Sequence, residues 1–116
     1  MPVDQLMHAS AIDMEESARD RTEKKFFRLR DEWKQKRGPE SSSARLAMHP
    51  AYLKIIGMGA EAIPFLLQEL ERDPDQWFVA LRSITEADPV PDPIRGNVTA
   101  MAEAWLKWGH DQGYQW

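Results

Sequence analysis

The chain contains no cysteine, which excludes disulfide bonds, thiolate metal ligands and a cysteine nucleophile. It also lacks an apolar run near the roughly 20 residues that cross a bilayer. The first residues have neither the basic stretch nor the apolar core of a signal peptide. No segment alternates apolar and polar positions over β-branched residues, so no strand is predicted. We therefore expect an all-α cytoplasmic protein without a membrane partner.

What the chain does contain is enough apolar material for one helical domain. It has 116 residues, of which 42% are hydrophobic, and five of them are Trp. This length and composition are typical of a single domain with a modest core. The Trp side chains are large enough to anchor that core or an interface with a partner.

Charge is distributed unevenly along the chain, although the net charge is only −4. Residues 1–18 carry four acidic side chains and no Lys or Arg, which gives −4. Residues 19–37 carry nine Lys or Arg against four acidic side chains, which gives +5. Residues 38–116 carry six against eleven, which gives −5. A basic segment is thus attached to an acidic body.

The basic segment belongs to a predicted amphipathic helix over residues 11–37. Gly38 and Pro39 favour the end of this helix. We interpret residues 1–39 as a basic amphipathic helix that acts as a docking arm, and residues 40–116 as the folded body. Apolar or small side chains recur along one helix face at steps of three and four, at Ala11, Met14, Ala18, Thr22, Phe26, Leu29 and Trp33.

The body is predicted to be a compact bundle of about four helices. The serines at 41–43 can cap the first of them, and Gly96 or Asn97 can cap the last. Pro at every second position between residues 89 and 93 predicts an extended connection over 86–96. Helices are expected at 44–48, from Pro50 to about 56, at 60–72, at 75–85 and at 97–109.

Residues 57–109 resemble a helical pair of the HEAT-repeat type. The first helix matches at Gly59, Ala62, Ile63, Pro64, Leu66, Leu67 and Leu70, and the second at Trp77, Ala80, Leu81, Ile84 and Thr85. The stretch from His49 to Gly59 is also similar to small bacterial proteins, some of them encoded near phage-terminase-like genes in mobile elements. HEAT-like pairs serve as binding surfaces, so the resemblance implies an interaction role. A stable solenoid needs about three repeats, so other helices or a partner must cover the single pair.

We predict no catalytic, cofactor-binding or metal-binding residue, and therefore neither an enzyme nor a cofactor. His49 is the only histidine of the predicted body away from the chain ends, and no second histidine or nucleophile stands at a spacing that catalysis or zinc binding needs. We interpret it as a helix-end histidine bonded to a backbone carbonyl. The acidic cluster of Glu69, Glu71, Asp73 and Asp75 lacks the spacing of a calcium loop. A solvated helix end is expected there.

The basic helix admits three interpretations. It is a solvated face, or it docks on an acidic surface of this chain or of a partner, or it binds nucleic acid by neutralising phosphates. Acidic residues within it dilute its charge and offer intrahelical pairs such as Asp20–Lys24 and Glu32–Lys36. The residues that would contact nucleic acid are Lys24, Lys25, Arg28, Arg30, Lys34, Lys36 and Arg37.

Aromatic residues are the candidates for a protein interface. Buried core is the default expectation for Phe26 and Trp33, which share the apolar stripe, whereas Phe27 points roughly 100° away and is expected to face a partner. The aromatics after the last helix either fold back onto Trp105 and Trp108 or contact a partner. The full set of interface candidates is Phe26, Phe27, Trp33, Tyr114 and Trp116.

These observations favour a non-catalytic protein-binding subunit or adaptor that acts in a larger complex. The alternative is a nucleic-acid-binding accessory protein of phage or mobile-element origin, of the terminase-associated type, that uses the basic helix 19–37. A third hypothesis, an antitoxin-like neutraliser, fits the size and acidity of the chain. Fold analogy alone does not decide among them.

Overall fold

The computed structural model of the chain describes residues 3–39 and 42–116, with side chains from residue 18 onward. Six α-helices and two short 3-10 helices make up the regular structure of these residues, and no strand occurs among them. The predicted all-α class is thereby confirmed. The α-helices are α1 (Val3–Lys36), α2 (Ser43–Ala47), α3 (Pro50–Gly57), α4 (Ile63–Arg72), α5 (Phe78–Thr85) and α6 (Val98–Asp111).

The first helix is longer than its apolar stripe predicts. It begins at Val3 rather than at residue 11, because residues 3–10 contain neither Gly nor Pro and nothing stops the helix there. Its predicted end is confirmed. Gly38 adopts a φ of +62°, a left-handed conformation that glycine reaches without strain.

Two predicted helices begin later than expected. The segment predicted as a helix over 60–72 opens with a 3-10 helix, Gly59–Ala62, and α-helical geometry starts at Ile63. Pro64 then lies in the first turn of α4, where its missing N–H needs no partner. The next helix starts at Phe78 instead of residue 75.

A tyrosine from another helix caps α5. Trp77 occupies the N-cap position of α5 and makes no side-chain cap bond. The hydroxyl of Tyr52, on α3, accepts a hydrogen bond from the Ala80 N–H at 2.9 Å and donates one to the Gln76 carbonyl at 2.8 Å. Burial raises the pKa of this hydroxyl well above its usual value. Tyr52 thus satisfies backbone groups that the sequence around α5 leaves open.

Side-chain caps begin three other helices. Ser42 caps α2 and Asn97 caps α6, which confirms the predicted capping roles of these positions. His49 was expected to bond a backbone carbonyl, and that expectation is wrong. Its Nδ1 accepts a hydrogen bond from the Ala51 N–H at 3.1 Å, because His49 is the extended N-cap residue of α3 and faces unpaired N–H groups.

The core is centred on four fully buried aromatic residues from three parts of the chain. Trp77 lies 4.4 Å from Trp33, 5.5 Å from Tyr52 and 6.1 Å from Phe26, measured between ring centroids. The Trp33 indole N–H also donates to the Leu46 carbonyl at 2.9 Å. The C-terminal half of α1 therefore shares one core with the body, and the predicted boundary at residue 39 does not separate two cores.

The remaining helices pack in two pairs. α5 packs mainly against α3, and α4 packs mainly against α6, with a smaller contact between α4 and α5. The HEAT-type resemblance pairs α4 with α5, and it stays a hypothesis. Faces of the body that one helical pair would leave open are covered within the chain by α1, α3 and α6.

The proline-rich connection is extended only in part. Pro91 and Arg95 have extended backbones, whereas a short 3-10 helix, Asp92–Ile94, lies between them and Glu86 adopts a φ of +60°. Arg95 donates hydrogen bonds to the carboxylates of Asp88 and Asp92 and to the Val90 carbonyl. The bond from Arg95 lowers the pKa of Asp88. These bonds hold the connection in one conformation, and the buried side chain of Val90 attaches it to the body.

Candidate functional site

One ion pair of α1 is largely buried. Arg30 contacts Glu69 of α4 at 2.8 Å, and Glu69 is only 2% exposed. Burial disfavours the Arg30 guanidinium, but its hydrogen bonds to Glu69 and Asp31 outweigh that effect and raise its pKa. Arg30 also covers the ring of Phe27 at 4.6 Å. This arginine therefore ties α1 to the body.

Two further cations of α1 bind the turn after α4. Lys34 lies 3.2 Å from Asp73 and 3.8 Å from Asp75. Arg37 lies 2.8 Å from Asp75 and stacks over the buried ring of Trp33 at 4.4 Å. Of the predicted alternatives for the basic helix, docking on the acidic body of the same chain describes these contacts.

The same contacts correct two predictions. Arg30, Lys34 and Arg37 were candidates for nucleic-acid contact, but their charges face carboxylates of this chain. The acidic cluster was expected to be a solvated helix end, yet Glu69 is buried and Asp75 is largely covered, because α1 packs over them. Asp73 is exposed, as expected, although it is paired with Lys34.

The other four nucleic-acid candidates lie on the exposed side of α1. Lys24 pairs with Asp20 at 3.0 Å and Lys36 pairs with Glu32 at 3.2 Å, so both predicted intrahelical pairs are confirmed. Lys25 and Arg28 are exposed and form no ion pair with the described residues. The free positive charge of the helix is consequently smaller than its sequence indicates.

The five interface candidates differ in how deeply the structure buries them. Phe26 and Trp33 are 0% exposed, so core burial, their default expectation, is confirmed and their candidacy for an interface is corrected. Phe27 was expected to face a partner, but it is half-buried and packs edge-on against Phe26 and Phe65. Phe65 of α4 covers this side of α1, so the Phe27 ring packs within the chain.

The C-terminal aromatics fold back onto α6. Tyr114 stacks on Trp108 with 5.6 Å between centroids, as expected. Trp116 instead packs against His110 at 4.3 Å, and its indole N–H donates to the Glu71 carboxylate. Gly109 permits this arrangement, because a Cβ there would lie 2.7 Å from Leu67 and 3.1 Å from the Trp116 ring.

An open groove of about 500 Å³ lies between α1, the start of α4 and the C-terminal residues. Trp116 lines the groove directly, and Phe27 contacts its wall through Phe65. The α4 side is built from positions that recur at steps of three and four, which is one face of a helix. The lining residues are Ala18, Arg19, Thr22 and Glu23 of α1, Glu61, Pro64, Phe65 and Gln68 around α4, and Gln115 and Trp116.

Sequence reasoning missed most of this groove. It assigned α4 a buried stripe that includes Leu66, Leu67 and Leu70, and those residues are buried. The groove uses the adjacent face of α4, where Phe65 is half-buried. One signal was present in the sequence: an aromatic side chain that lies outside the buried stripe of a short helix.

Other possible sites are weaker. A second groove of about 500 Å³ lies between the proline-rich connection and α6, beside Trp108. Among the residues that the structure describes, no group of three or more His, Asp or Glu could hold a metal ion. No single helix in the described ranges is long and apolar enough to cross a membrane, and one pair bent by 110°, Pro50–Gly57 with Gly59–Arg72, passes on length and composition only.

Comparison with known proteins adds no relative. No protein-family model matches the chain, and no curated protein or solved structure matches it either. A hypothesis about the function of this chain therefore rests on the groove and on the charged surface of α1.

Proposed function

We propose that the chain is a non-catalytic protein-binding subunit that contacts its partner through the groove between α1 and α4. One observation carries the proposal: two half-buried aromatic side chains, Phe65 and Trp116, line the same concave surface. Aromatic side chains in such partly covered positions dominate the free energy of many protein interfaces. Grooves between helices are also a common way to bind an amphipathic partner helix.

The α1 wall of the groove, residues 18–23, continues directly from the part of the helix that is packed on the body. α1 is anchored below the groove by Phe26, Leu29 and Trp33, which are buried, and by the ion pair between Arg30 and Glu69. A preformed surface loses little conformational freedom on binding, so more of its contact free energy appears as affinity. The anchoring of α1 next to the groove supports a role in recognition.

The experiment places a photo-crosslinking amino acid at Gln68, which lies in the groove. A second protein carries it at Gln35, an exposed glutamine on α1 outside the groove. Both proteins are expressed in the cells from which the gene comes. We expect one defined adduct from position 68, and we expect excess unlabelled chain to compete it away. Position 35 should give no such adduct.

A blocking pair of variants completes the test. Gln68→Arg adds a long charged side chain inside the groove, and Gln35→Arg adds the same group outside it. We expect Gln68→Arg to weaken association with the cross-linked partner by about tenfold or more, and Gln35→Arg to leave it unchanged. Equal effects of the two variants, or none, would show that the partner does not use the groove.

Nucleic-acid binding remains the second candidate, and a specific observation favours it. Arg21, Lys24, Lys25 and Arg28 are all exposed within two turns of α1, and only Lys24 has an ion-pair partner among the described residues. Such a cluster can neutralise several phosphates, with an affinity that falls steeply as salt increases. It offers fewer charges than the seven that the sequence suggested.

The test is a titration of duplex DNA and RNA at two salt concentrations with the triple variant Lys24→Glu, Lys25→Glu, Arg28→Glu. If the cluster binds phosphate, affinity should fall and the salt slope should decrease by about three. The matched control reverses three exposed cations outside α1: Lys54, Arg82 and Lys107. Indistinguishable results for the two triple variants would remove this candidate.

The antitoxin-like hypothesis is a special case of the first proposal, in which the partner in the groove is a toxin. The cross-linked partner would identify it. We propose a cytoplasmic location for each of these functions, and fractionation of the source cells tests it.

A further inference from the structure

The first helix is too long for the body on which it packs. Its 34 residues span about 51 Å, whereas the molecule measures 62 Å along its longest axis and 33 Å and 22 Å across. The radius of gyration is 17.0 Å, against about 13 Å for a compact chain of 116 residues. The buried anchors Phe26, Leu29 and Trp33 lie toward the C-terminal end of α1. The excess length is therefore at the other end, and we call residues 3–18 the N-terminal arm.

The arm and the turns that follow it carry opposite charges. Four acidic residues and no Lys or Arg occur in the arm. The next two turns present four exposed cations on one side of the helix, which we call the basic face: Arg21, Lys24, Lys25 and Arg28. A negative segment is thus followed by a positive surface on the same helix.

Acidic residues around the basic face reduce its charge without cancelling it. Residues 19–28 contain five Lys or Arg and two acidic residues, which gives +3, and Glu61 beside them reduces this to +2. The acidic residues of the next turn, Asp31 and Glu32, are bound by cations outside the basic face. The basic face therefore remains positive after its neighbours are counted.

One stripe of α1 runs through both segments. It advances by alternating steps of four and three residues, the spacing of a seam between paired helices. In the arm the positions on this stripe are apolar or small, and beyond the arm they are basic. In chain order they are Val3, Met7, Ser10, Met14, Ser17, Arg21, Lys24 and Arg28.

The arm and the basic face cannot neutralise each other within one chain. They belong to one continuous helix, and their midpoints are about 21 Å apart. Physiological salt screens charges beyond about 8 Å. In a second copy turned antiparallel, however, each arm meets the basic face of the other molecule. Two-fold symmetry repeats this contact and requires one self-complementary surface, which the stripe supplies.

We propose that two copies of the chain associate through antiparallel packing of α1, with the N-terminal arm of each copy on the basic face of the other. The aliphatic parts of the Lys and Arg side chains cover the apolar positions of the arm, while their charged groups reach its carboxylates. The stripe is centred between Met14 and Ser17, so packing about that point places Met7 opposite Lys24. No stripe residue lines the groove, and the inference goes beyond the proposed function.

Nucleic acid is the competing occupant of the basic face. It would neutralise the same cations, but the four carboxylates of the arm lie on the same helix and would repel its phosphates. A second copy satisfies both charged segments at once. We therefore favour self-association.

The test is analytical ultracentrifugation of the full chain over a range of concentrations at low and high salt. We expect a dimer whose dissociation constant rises at least about tenfold between about 50 mM and about 500 mM salt. A chain that stays monomeric at every concentration and at low salt would overturn the inference.

Charge reversal tests which surfaces meet. The face variant, Lys25→Glu with Arg28→Glu, and the arm variant, Asp4→Lys with Asp13→Lys, should each weaken the homodimer at least about tenfold. An equimolar mixture should form a heterodimer within about threefold of the original affinity, because each arm then meets a face of opposite charge. Circular dichroism checks that both variants remain folded. Failure of the mixture to associate would overturn the proposed contact.

A matched control reverses two exposed cations outside α1, Arg82→Glu with Lys107→Glu. This variant should dimerise like the original chain. An effect equal to that of the face variant would show that net charge, not the basic face, governs association, and would overturn the inference.

The orientation can be read from disulfide formation, because the chain has no cysteine of its own. Met7→Cys mixed with Lys24→Cys should give a mixed disulfide, whereas Met7→Cys alone should give none, since its two copies lie about 25 Å apart in the antiparallel arrangement. A disulfide from Met7→Cys alone would indicate parallel helices and overturn the proposal.

The remaining outcomes separate this inference from the proposed function. A partner cross-linked at Gln68 to a chain that stays monomeric would leave the protein-binding function standing and overturn the dimer. A dimer that forms mixed disulfides, without any adduct at Gln68, would do the reverse. A monomer whose basic face binds duplex DNA or RNA would assign that face to nucleic acid and overturn the inference.

Discussion

Two aromatic clusters in this protein have similar composition and opposite exposure. The cluster around Trp33, Tyr52 and Trp77 is completely buried, and two of its polar atoms bond backbone groups of other helices. In the cluster on α6 and the C-terminal residues, only Trp105 is fully buried. Trp116 gives its indole N–H to an exposed carboxylate. We therefore expect the first cluster to contribute more to stability, and we propose the second for recognition.

The largest expected contrast comes from truncating one tryptophan in each cluster. Trp33→Ala should destabilise the fold by about 3–5 kcal/mol, because it creates a cavity and leaves the Leu46 carbonyl without its partner. Trp116→Ala should cost less than about 1 kcal/mol. Urea unfolding followed by circular dichroism measures both. Similar losses would contradict the division between the clusters.

The contrast between buried and exposed positions extends to charge. Arg30→Met leaves the buried Glu69 carboxylate with only the distant Arg72, at 3.8 Å, and should cost about 3 kcal/mol. Lys24→Met breaks the exposed pair with Asp20 and should cost no more than about 0.5 kcal/mol. Adding Glu69→Leu to Arg30→Met should recover most of the loss. Calorimetric unfolding checks the three proteins, and no recovery would mean that packing of the arginine, not charge, dominates.

A hydroxyl deletion in each cluster gives a smaller difference. Tyr52→Phe removes the group that caps α5 and should cost about 1–2 kcal/mol, since it leaves the Ala80 N–H buried without an acceptor. The hydroxyl of Tyr114 has no hydrogen-bond partner within the described ranges, so Tyr114→Phe should change stability by less than about 0.5 kcal/mol. Chemical denaturation of the two variants measures the free energy of unfolding, provided that its dependence on denaturant concentration is the same in both. A loss in Tyr52→Phe alone would show that the hydroxyl of Tyr52 contributes to stability.

The last variant, Gly109→Ala, brings two effects on stability into opposition. A methyl group there meets Leu67 and the ring of Trp116, while alanine favours the helix by up to about 1 kcal/mol over glycine. These effects oppose each other, so the free energy of unfolding should change by less than about 1 kcal/mol. The Trp116 indole should nevertheless leave its site, which faster hydrogen exchange of its N–H would reveal. An unchanged Trp116 signal would mean that the methyl group is accommodated.

Much of the fold was predictable because the relevant signals are local. Helix periodicity indicated the all-α class, and Gly38 and Asn97 indicated an end and a beginning that the structure confirms. The intrahelical pairs of Lys24 and Lys36 follow from spacing alone. Each of these features depends on residues within a few positions of one another.

The site was much less predictable. The sequence singled out Trp116, but it linked it with Trp105 and Trp108 rather than with Glu71 and His110. Phe65 was not singled out, although it lines the groove. Both misses concern the groove, which brings together residues that are far apart in the chain, such as Trp116 and Glu71.

The amino-acid order by itself therefore determined the helices, most of their ends and the basic character of α1, because backbone hydrogen bonds and side-chain spacing operate over one or two turns. Only the tertiary structure decided which charges form ion pairs with distant residues of the chain and which remain unpaired at its surface. Arg30 and Glu69 are separated by 39 residues, as are Lys34 and Asp73, and packing of α1 over α4 brings them together. Burial removes water from the pair of Arg30 and Glu69, whereas Asp73, Glu23 and Glu61 stay exposed, a difference of environment that no local pattern encodes.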